Sequence, residues 1–217
     1  MKTKLIFLFI CGGFSLQLYA QYNALDWRER DEWMDVDRIF ELAGVSEGQN
    51  VADIGCHEGY LSIHLARAVG VRGKVYAVDL REDRLVKLNK NASDRHIYNI
   101  TTIHGDTDDP KLPRGLLDLV VIMDTYHEMK DYITILEHVK RSLKPNGRIV
   151  ILEKLKSHAK NKNRNEQVSA HTLAPQFVRK ELQQAGFKVI EQLNNIGNWE
   201  NDSSKKIWIL VGILSDT

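Results

Sequence analysis

Four acids recur at one kind of place in this 217-residue chain. Asp53 sits in the apolar run "NVADI", Asp79 nearly closes "KVYAVDL", Asp106 closes "NITTIHGD" and Asp124 closes "LLDLVVIMD". After the first run comes "GCHEG", Gly55 to Gly59, a tight turn between a strand-like and a helix-like segment. Glycines in such a turn let the backbone approach a ligand and tolerate positive φ. Carboxylates around it repel a pyrophosphate. They suit a ligand that offers hydroxyls and a positive centre. Asp79 follows Gly59 at about 20 residues, the separation at which an acid can take ribose hydroxyls. Gly55-Cys56-His57-Glu58-Gly59-Tyr60-Leu61 does not meet the dinucleotide fingerprint G-x-G-x-x-G, which disfavours a nicotinamide oxidoreductase. Acids also suit helix N-termini. That accounts for one or two of these four; four together point to a site.

His127, in "DTYHEMKD", is the first candidate for a base, because an imidazole titrates near neutral pH. Asp124 is the second. A plain helix-cap or rim position for His127 is the competing reading. "HEGYL" and "HEMKD" both fail H-E-x-x-H, since Leu61 and Asp131 stand where the second histidine belongs. No metal is therefore expected. His57 stands mid-turn, where a small residue would be preferred, and Cys56 reads as a small packing residue.

These residues need a scaffold, and the periodicity supplies one. Strand-like segments at 50–54, 74–80, 99–106, 116–124 and 147–155 alternate with helix-like segments at 60–69, 81–93 and 131–143. That alternation predicts a parallel sheet with helices on both faces. The continuous apolar runs "LVVIM" and "RIVIL" suit strands buried on both sides. In such sheets a ligand sits beyond the carboxyl ends of the strands, where the acids are. "KPNG" before the fifth strand is a turn. Residues 27–45 show the apolar spacing of one amphipathic helix. Residues 156–171 are polar, basic and aperiodic, and read as a lid loop over a site. A helix at 174–187 precedes two strands, 188–193 and 206–214, with no helix between them. They predict an antiparallel ending, the last strand lying between its two neighbours.

In this order and at these spacings the segments resemble the class I S-adenosylmethionine-dependent methyltransferases. "VADIGCHEGY" resembles their first motif, D-I-G-A-G-T-G-Y, and "GKVYAVDL" their second. "GDTDDPKLPRGLLDLVVIMDTYHEMKD" is similar to a branch reading G-T-x-D-D-P-x-L-P and then D-T-Y-H-H. "LKPNGRIVILE" and "HTLAPQFVRKELQQAGFKVIEQ" continue the match, which runs over most of residues 27–214. The resemblance implies a Rossmann-like, doubly wound α/β fold with a seven-stranded, mostly parallel sheet and an antiparallel C-terminal strand. It implies S-adenosyl-L-methionine as cofactor. Gly55 and Gly59 would admit its methionine part, and Asp53 would orient that loop or bind the amine through water. Asp79 would take the ribose hydroxyls, and Asp106 would lie near the adenine. Asp124, with Tyr126 and His127, would line the space where methyl meets acceptor. In this branch the "RERDEW" segment packs near the cofactor. His57 departs from the pattern, standing where the family has its middle glycine; it counts among the cofactor-binding positions. A non-catalytic binding protein on the same scaffold is the alternative.

Composition adds limits. Formal net charge is +1, with 43% hydrophobic and 27% charged residues, giving no general attraction to nucleic acid. "MKTKLIFLFICGGFSLQLYAQY" has the charged start, short apolar middle and small residue of a signal peptide, with cleavage expected after Ala20. Export, periplasmic or secreted, follows as an expectation, with an uncleaved anchor as its alternative. Cleavage removes Lys2, Lys4 and Cys11, so the formal charge turns to −1 and Cys56 alone remains. Residues 21–217 would then form one domain, with a small-molecule acceptor and no membrane span.

Overall fold

The computed structural model describes residues 24–215. The expected leader, residues 1–20, lies outside them. Seven strands form one sheet: β1 (Asn50–Ile54), β2 (Lys74–Asp79), β3 (Ile100–His104), β4 (Leu117–Met123), β5 (Leu143–Lys156), β6 (Phe187–Asn198) and β7 (Lys205–Leu214). Their order is β3-β2-β1-β4-β5-β7-β6. The first five are parallel, and β7 runs antiparallel between β5 and β6. The expected seven-stranded doubly wound sheet, with its antiparallel ending, is what the chain forms.

Alternation along the strands distributes the core between two faces. Val51, Val75 and Leu119 point to one face, under α2 (Val36–Ala43) and α3 (Tyr60–Val69). Ala77, on the same side as Val75, packs with Leu85 and Leu88 of α4 (Glu82–Asp94). Ala52, Val120 and Ile149 point to the other face, under α5 (Tyr132–Ser142) and α7 (Pro175–Gln184). Leu119, Val120, Val121 and Ile122 of β4 are all buried. Each such side chain contributes about 1.5–3 kcal/mol relative to exposure. That burial makes β4 and its neighbour β1 the rigid centre from which the site's loops spring. No helix among the described residues is long and apolar enough to cross a membrane.

Three local expectations are corrected. The single helix over 27–45 is two, α1 (Ala24–Asp31) and α2. Asp35 breaks it: its carboxylate accepts from the Arg38 N–H at 3.0 Å and caps α2. An aspartate satisfies an orphan N–H of a new helix better than it serves a helix interior. The break lets Trp33 pack at a tilt against Trp199, ring centroids 4.8 Å apart. The second correction concerns "KPNG", which bulges within β5: Leu143 pairs with Leu117, and Arg148 with Leu119. The third concerns 156–171. It is an ordered 3-10 turn, Ser157–Ala159, followed by α6 (Arg164–Ser169), which begins on an Asn163–Glu166 capping box. Buried Gln167 fastens it, donating to the carbonyls of Ala159 and Lys162 at 3.0 Å and accepting from the Ala174 N–H at 2.7 Å.

Candidate functional site

The turn after β1 is built by its glycines. Gly55 has φ +80°, and a Cβ there would lie 2.4 Å from Cγ2 and Oγ1 of Thr125. Its N–H and that of Cys56 donate to the Val78 carbonyl at 2.8 and 3.0 Å, which ties the turn to β2. Gly59 has φ +95° and opens α3, with Leu88 filling the space of a side chain. His57 stands between them with φ 50°. A β-carbon in this region is strained, though histidine tolerates it better than most residues. The His57 N–H donates to Asp79 Oδ2 at 2.9 Å, and the Arg81 N–H to Asp79 Oδ1 at 2.9 Å. Asp79 thus holds the turn while its remaining lone pairs stay available to hydroxyl donors. Glu58 is buried against Arg84 and Lys87, at 2.6 and 2.9 Å. Cys56 packs with Ala77, Leu85 and Leu88, and burial pushes its thiol pKa up. It is a core residue, as its neighbours in sequence suggested.

Asp53 lies beneath the turn, 2% exposed. The Ser62 hydroxyl donates to it at 2.6 Å. Burial raises its pKa to about 6, against the Ser62 hydrogen bond and the charge of Arg30. A buried acid with so little compensation suits a cationic partner. Arg30 itself comes from α1. Its guanidinium stacks over Tyr60 at 4.2 Å and Trp199 at 5.2 Å. Its Nη2 donates to Met123 Sδ at 3.6 Å.

These groups surround a cavity of about 690 Å³ at the carboxyl ends of β1, β2 and β4. It lies where the strand order reverses between β1 and β4, the place such sheets bind ligands. Of the residues nominated from sequence, Asp53, Gly55, His57, Asp79, Asp106 and Asp124 all line it. Asp106 stands at the exposed rim, paired with Lys111 at 3.0 Å. Gly59 shapes the turn without lining the cavity. None of residues 156–171 lines it.

Tyr126 and His127 depart from the position the resemblance implied for them. Neither lines the cavity. The Tyr126 hydroxyl donates to Glu181 Oε2 at 3.0 Å inside the core. The His127 ring is 3% exposed, with Nδ1 against both Glu153 carboxylate oxygens at 3.0 and 2.9 Å. Its backbone N–H also donates to Glu153, at 3.1 Å. Burial alone would lower the His127 pKa, but the Glu153 hydrogen bond and charge, with Asp124, raise it. Asp124 keeps its cavity position, with φ 52° and its carboxylate on the Lys154 ammonium. The 3-10 turn Tyr126–Glu128 causes the difference: it sends Tyr126 and His127 inward and leaves Thr125 and Glu128 on the lining.

A family model described as a methyltransferase domain matches residues 51–147. These include the glycine turn and all four acids. The chain also superposes on a SAM-dependent methyltransferase from Aquifex aeolicus, with a TM-score of 0.73 over 89% of this chain and 100% of that one, at 21% identity. This is the class I S-adenosylmethionine-dependent methyltransferase fold. The [4+2]-cyclase SpnF shares this fold at a TM-score of 0.69 and 14% identity, covering 87% of this chain and 81% of that one. A demethylmenaquinone methyltransferase of Geobacillus sp. (strain WCH70) is 28% identical over 141 residues, 63% of this chain. The match spans 59% of that relative's length.

On this methyltransferase fold, sequence reasoning missed four contributors. Arg30 lay inside the "RERDEW" segment but was not distinguished from the other charges around it. Trp199 comes from a polar stretch after β6, and only the fold brings it to the cavity. Glu153 and Lys154 interrupt the apolar run of β5. An acid inside a strand buried on both faces must find a partner; that signal was available.

Proposed function

We propose that this chain is an S-adenosylmethionine-dependent methyltransferase acting on a small-molecule acceptor. The observation that carries the reading is the cavity: a close-approach glycine turn with Asp53, Asp79, Asp106 and Asp124 on the lining, beside the cations Arg30, Arg81, Arg84 and Lys130. The residues fit the cofactor. The missing Cβ of Gly55 lets Thr125 of the turn after β4 pack against the glycine turn, which fixes that turn at the cavity wall. Buried Asp53, its pKa raised to about 6, matches the cationic amino-acid end. Asp79 presents oxygens to ribose hydroxyls, and Asp106 stands at the rim for the adenine end. When bound, the cofactor's sulfonium supplies an electrophilic methyl group. The protein's work is then to orient the acceptor in line with it and to exclude water. Trp27, Arg30 and Trp199 close one wall of the cavity, and Asp124 marks its acceptor end.

Calorimetric titration of the purified protein with S-adenosylmethionine tests the reading. Saturable binding is expected, weakened by about 1.5–3 kcal/mol in Asp79→Ala, the range for a hydrogen bond to a charged group. Absence of binding by the parent would overturn it. The curated relative's quinone acceptor offers one candidate substrate, to be tried with labelled methyl donor beside other small phenols and thiols. A second reading, a non-catalytic binding protein, draws on the cyclase that shares the fold; binding without methyl transfer to any acceptor would favour it. We further propose export by residues 1–20. A mature N-terminus at Gln21, read from intact mass, is expected; a retained Met1 would refute cleavage.

A further inference from the structure

Sequence spacing shows no metal motif, yet the fold assembles one from separate elements. His127 follows β4, in the same short turn as Glu128. His171 lies between α6 and α7. One ligand atom from each of His127, Glu128 and His171 falls within 4.8 Å of the others. His127 Nε2 and Glu128 Oε1 are 3.9 Å apart, and the two imidazoles meet edge to face with centroids at 6.0 Å. We propose that His127, Glu128 and His171 bind a zinc-class divalent metal ion at the edge of the cavity.

Glu153 gives the strongest support. Its carboxylate grips His127 at Nδ1, which directs Nε2 toward Glu128 and His171. A buried carboxylate on the far nitrogen is how metal-binding histidines are oriented and made more basic. The backbone next to His171 is anchored as well. Beside His171, buried Thr172 donates from Oγ1 to the Lys154 carbonyl at 2.6 Å and accepts from the Lys156 N–H at 3.0 Å. Tetrahedral zinc with bonds of about 2.0–2.1 Å needs ligand atoms about 3.3 Å apart. The gap closes by rotating Glu128 and His171, whose exposed side chains move at little cost.

Two imidazoles and one carboxylate favour zinc-class ions over magnesium or calcium. Three protein ligands leave a fourth position open, and Glu128 also lines the cavity. Resting on the methyltransferase reading, an ion here would hold an oxygen or sulfur atom of the acceptor. The neighbouring group Asp124–His127–Glu153 is the poorer choice, because Asp124 is paired with Lys154 and Glu153 with His127.

The test uses the full chain, stripped with chelator and titrated with zinc and with cobalt. One zinc per chain is expected, and cobalt should give the visible absorption of a low-coordinate site. His171→Ala and Glu128→Ala should each weaken zinc binding by about tenfold or more, and Glu153→Gln by about 10–100-fold through the ring's orientation. Affinity for S-adenosylhomocysteine should stay within about twofold in His171→Ala, whose side chain does not line the cavity, so failure here is separable from failure of the cofactor reading. Absence of saturable zinc uptake, or undiminished zinc binding by His171→Ala, would overturn the proposal. Both His171 and Glu128 are exposed, so these variants keep the fold.

Discussion

Asp53 is an acid held where an acid is costly. Burial lifts its pKa from the ordinary 3.8 to about 6, so the folded chain holds this proton more firmly than the unfolded one. Its contribution to stability is therefore greatest below pH 3.8 and is lost as pH rises through 6. A cationic ligand reverses the preference by favouring the ionised form. Affinity for S-adenosylmethionine should then be level above neutrality and fall about tenfold between pH 7 and pH 5. Asp53→Asn should bind weakly with no such slope. Equal parental affinity at both pH values would show that Asp53 does not face the positive centre. His57 carries a different strain. Its φ of 50° costs about 1 kcal/mol or more for a residue with a β-carbon. His57→Gly relieves that strain and returns part of the gain as loop entropy. It should bind the cofactor at least as well as the parent in calorimetry; a loss of tenfold or more would mean that the imidazole contacts the ligand. The four acids could be read from sequence because strand ends fix where they go. Tyr126 and His127 could not, because their partners Glu181 and Glu153 are remote in the chain.

At the scale of elements, the turn after β1 and the turn after β4 fit each other through one missing side chain. An alanine Cβ at Gly55 would meet two Thr125 atoms at 2.4 Å and its Cβ at 2.7 Å. Gly55→Ala should therefore cost about 2 kcal/mol or more in denaturant unfolding, joining steric clash to a positive φ. Thr125→Ala in that background removes the two nearest atoms but leaves the residue's Cβ at 2.7 Å and the φ penalty. Partial recovery is expected. Full recovery would show that backbone conformation costs nothing here. The regular elements were readable because two-sided burial of β4 and β5 and the helical spacing between strands are local patterns. The departures come from single side chains competing with those patterns. Asp35 caps a new helix inside an apolar periodicity. Asn163 and Glu166 form a capping box inside a run that looked like loop, and that N-x-x-E spacing was a signal in plain view.

The whole molecule converges on its cavity from both ends of the described chain. Trp27 and Arg30 arrive from α1, the glycine turn and acids from the parallel half, and Trp199 from the antiparallel end. Strand–helix alternation was enough for a parallel sheet with helices on both faces, and the resemblance of the motifs named the fold. They could not place Trp33 against Trp199 or Arg30 over Tyr60, which depend on the break between α1 and α2. A ligand in this cavity therefore ties together segments that sequence keeps far apart, and it binds the folded chain alone. At a hundred times its dissociation constant it should stabilise the fold by about 2.7 kcal/mol. For a chain of this size that is a rise of roughly 5–10 °C in melting temperature. S-adenosylmethionine and S-adenosylhomocysteine should both produce it. ATP and NAD should not, because Asp53, Asp79, Asp106 and Asp124 line the cavity and oppose phosphate charge. Arg81 and Arg84 also line it, so the comparison is a real contest between the two signs of charge. A shift from ATP equal to that from S-adenosylmethionine would mean that the arginines prevail, and the cavity would then be a nucleotide site in place of a methyl-donor site.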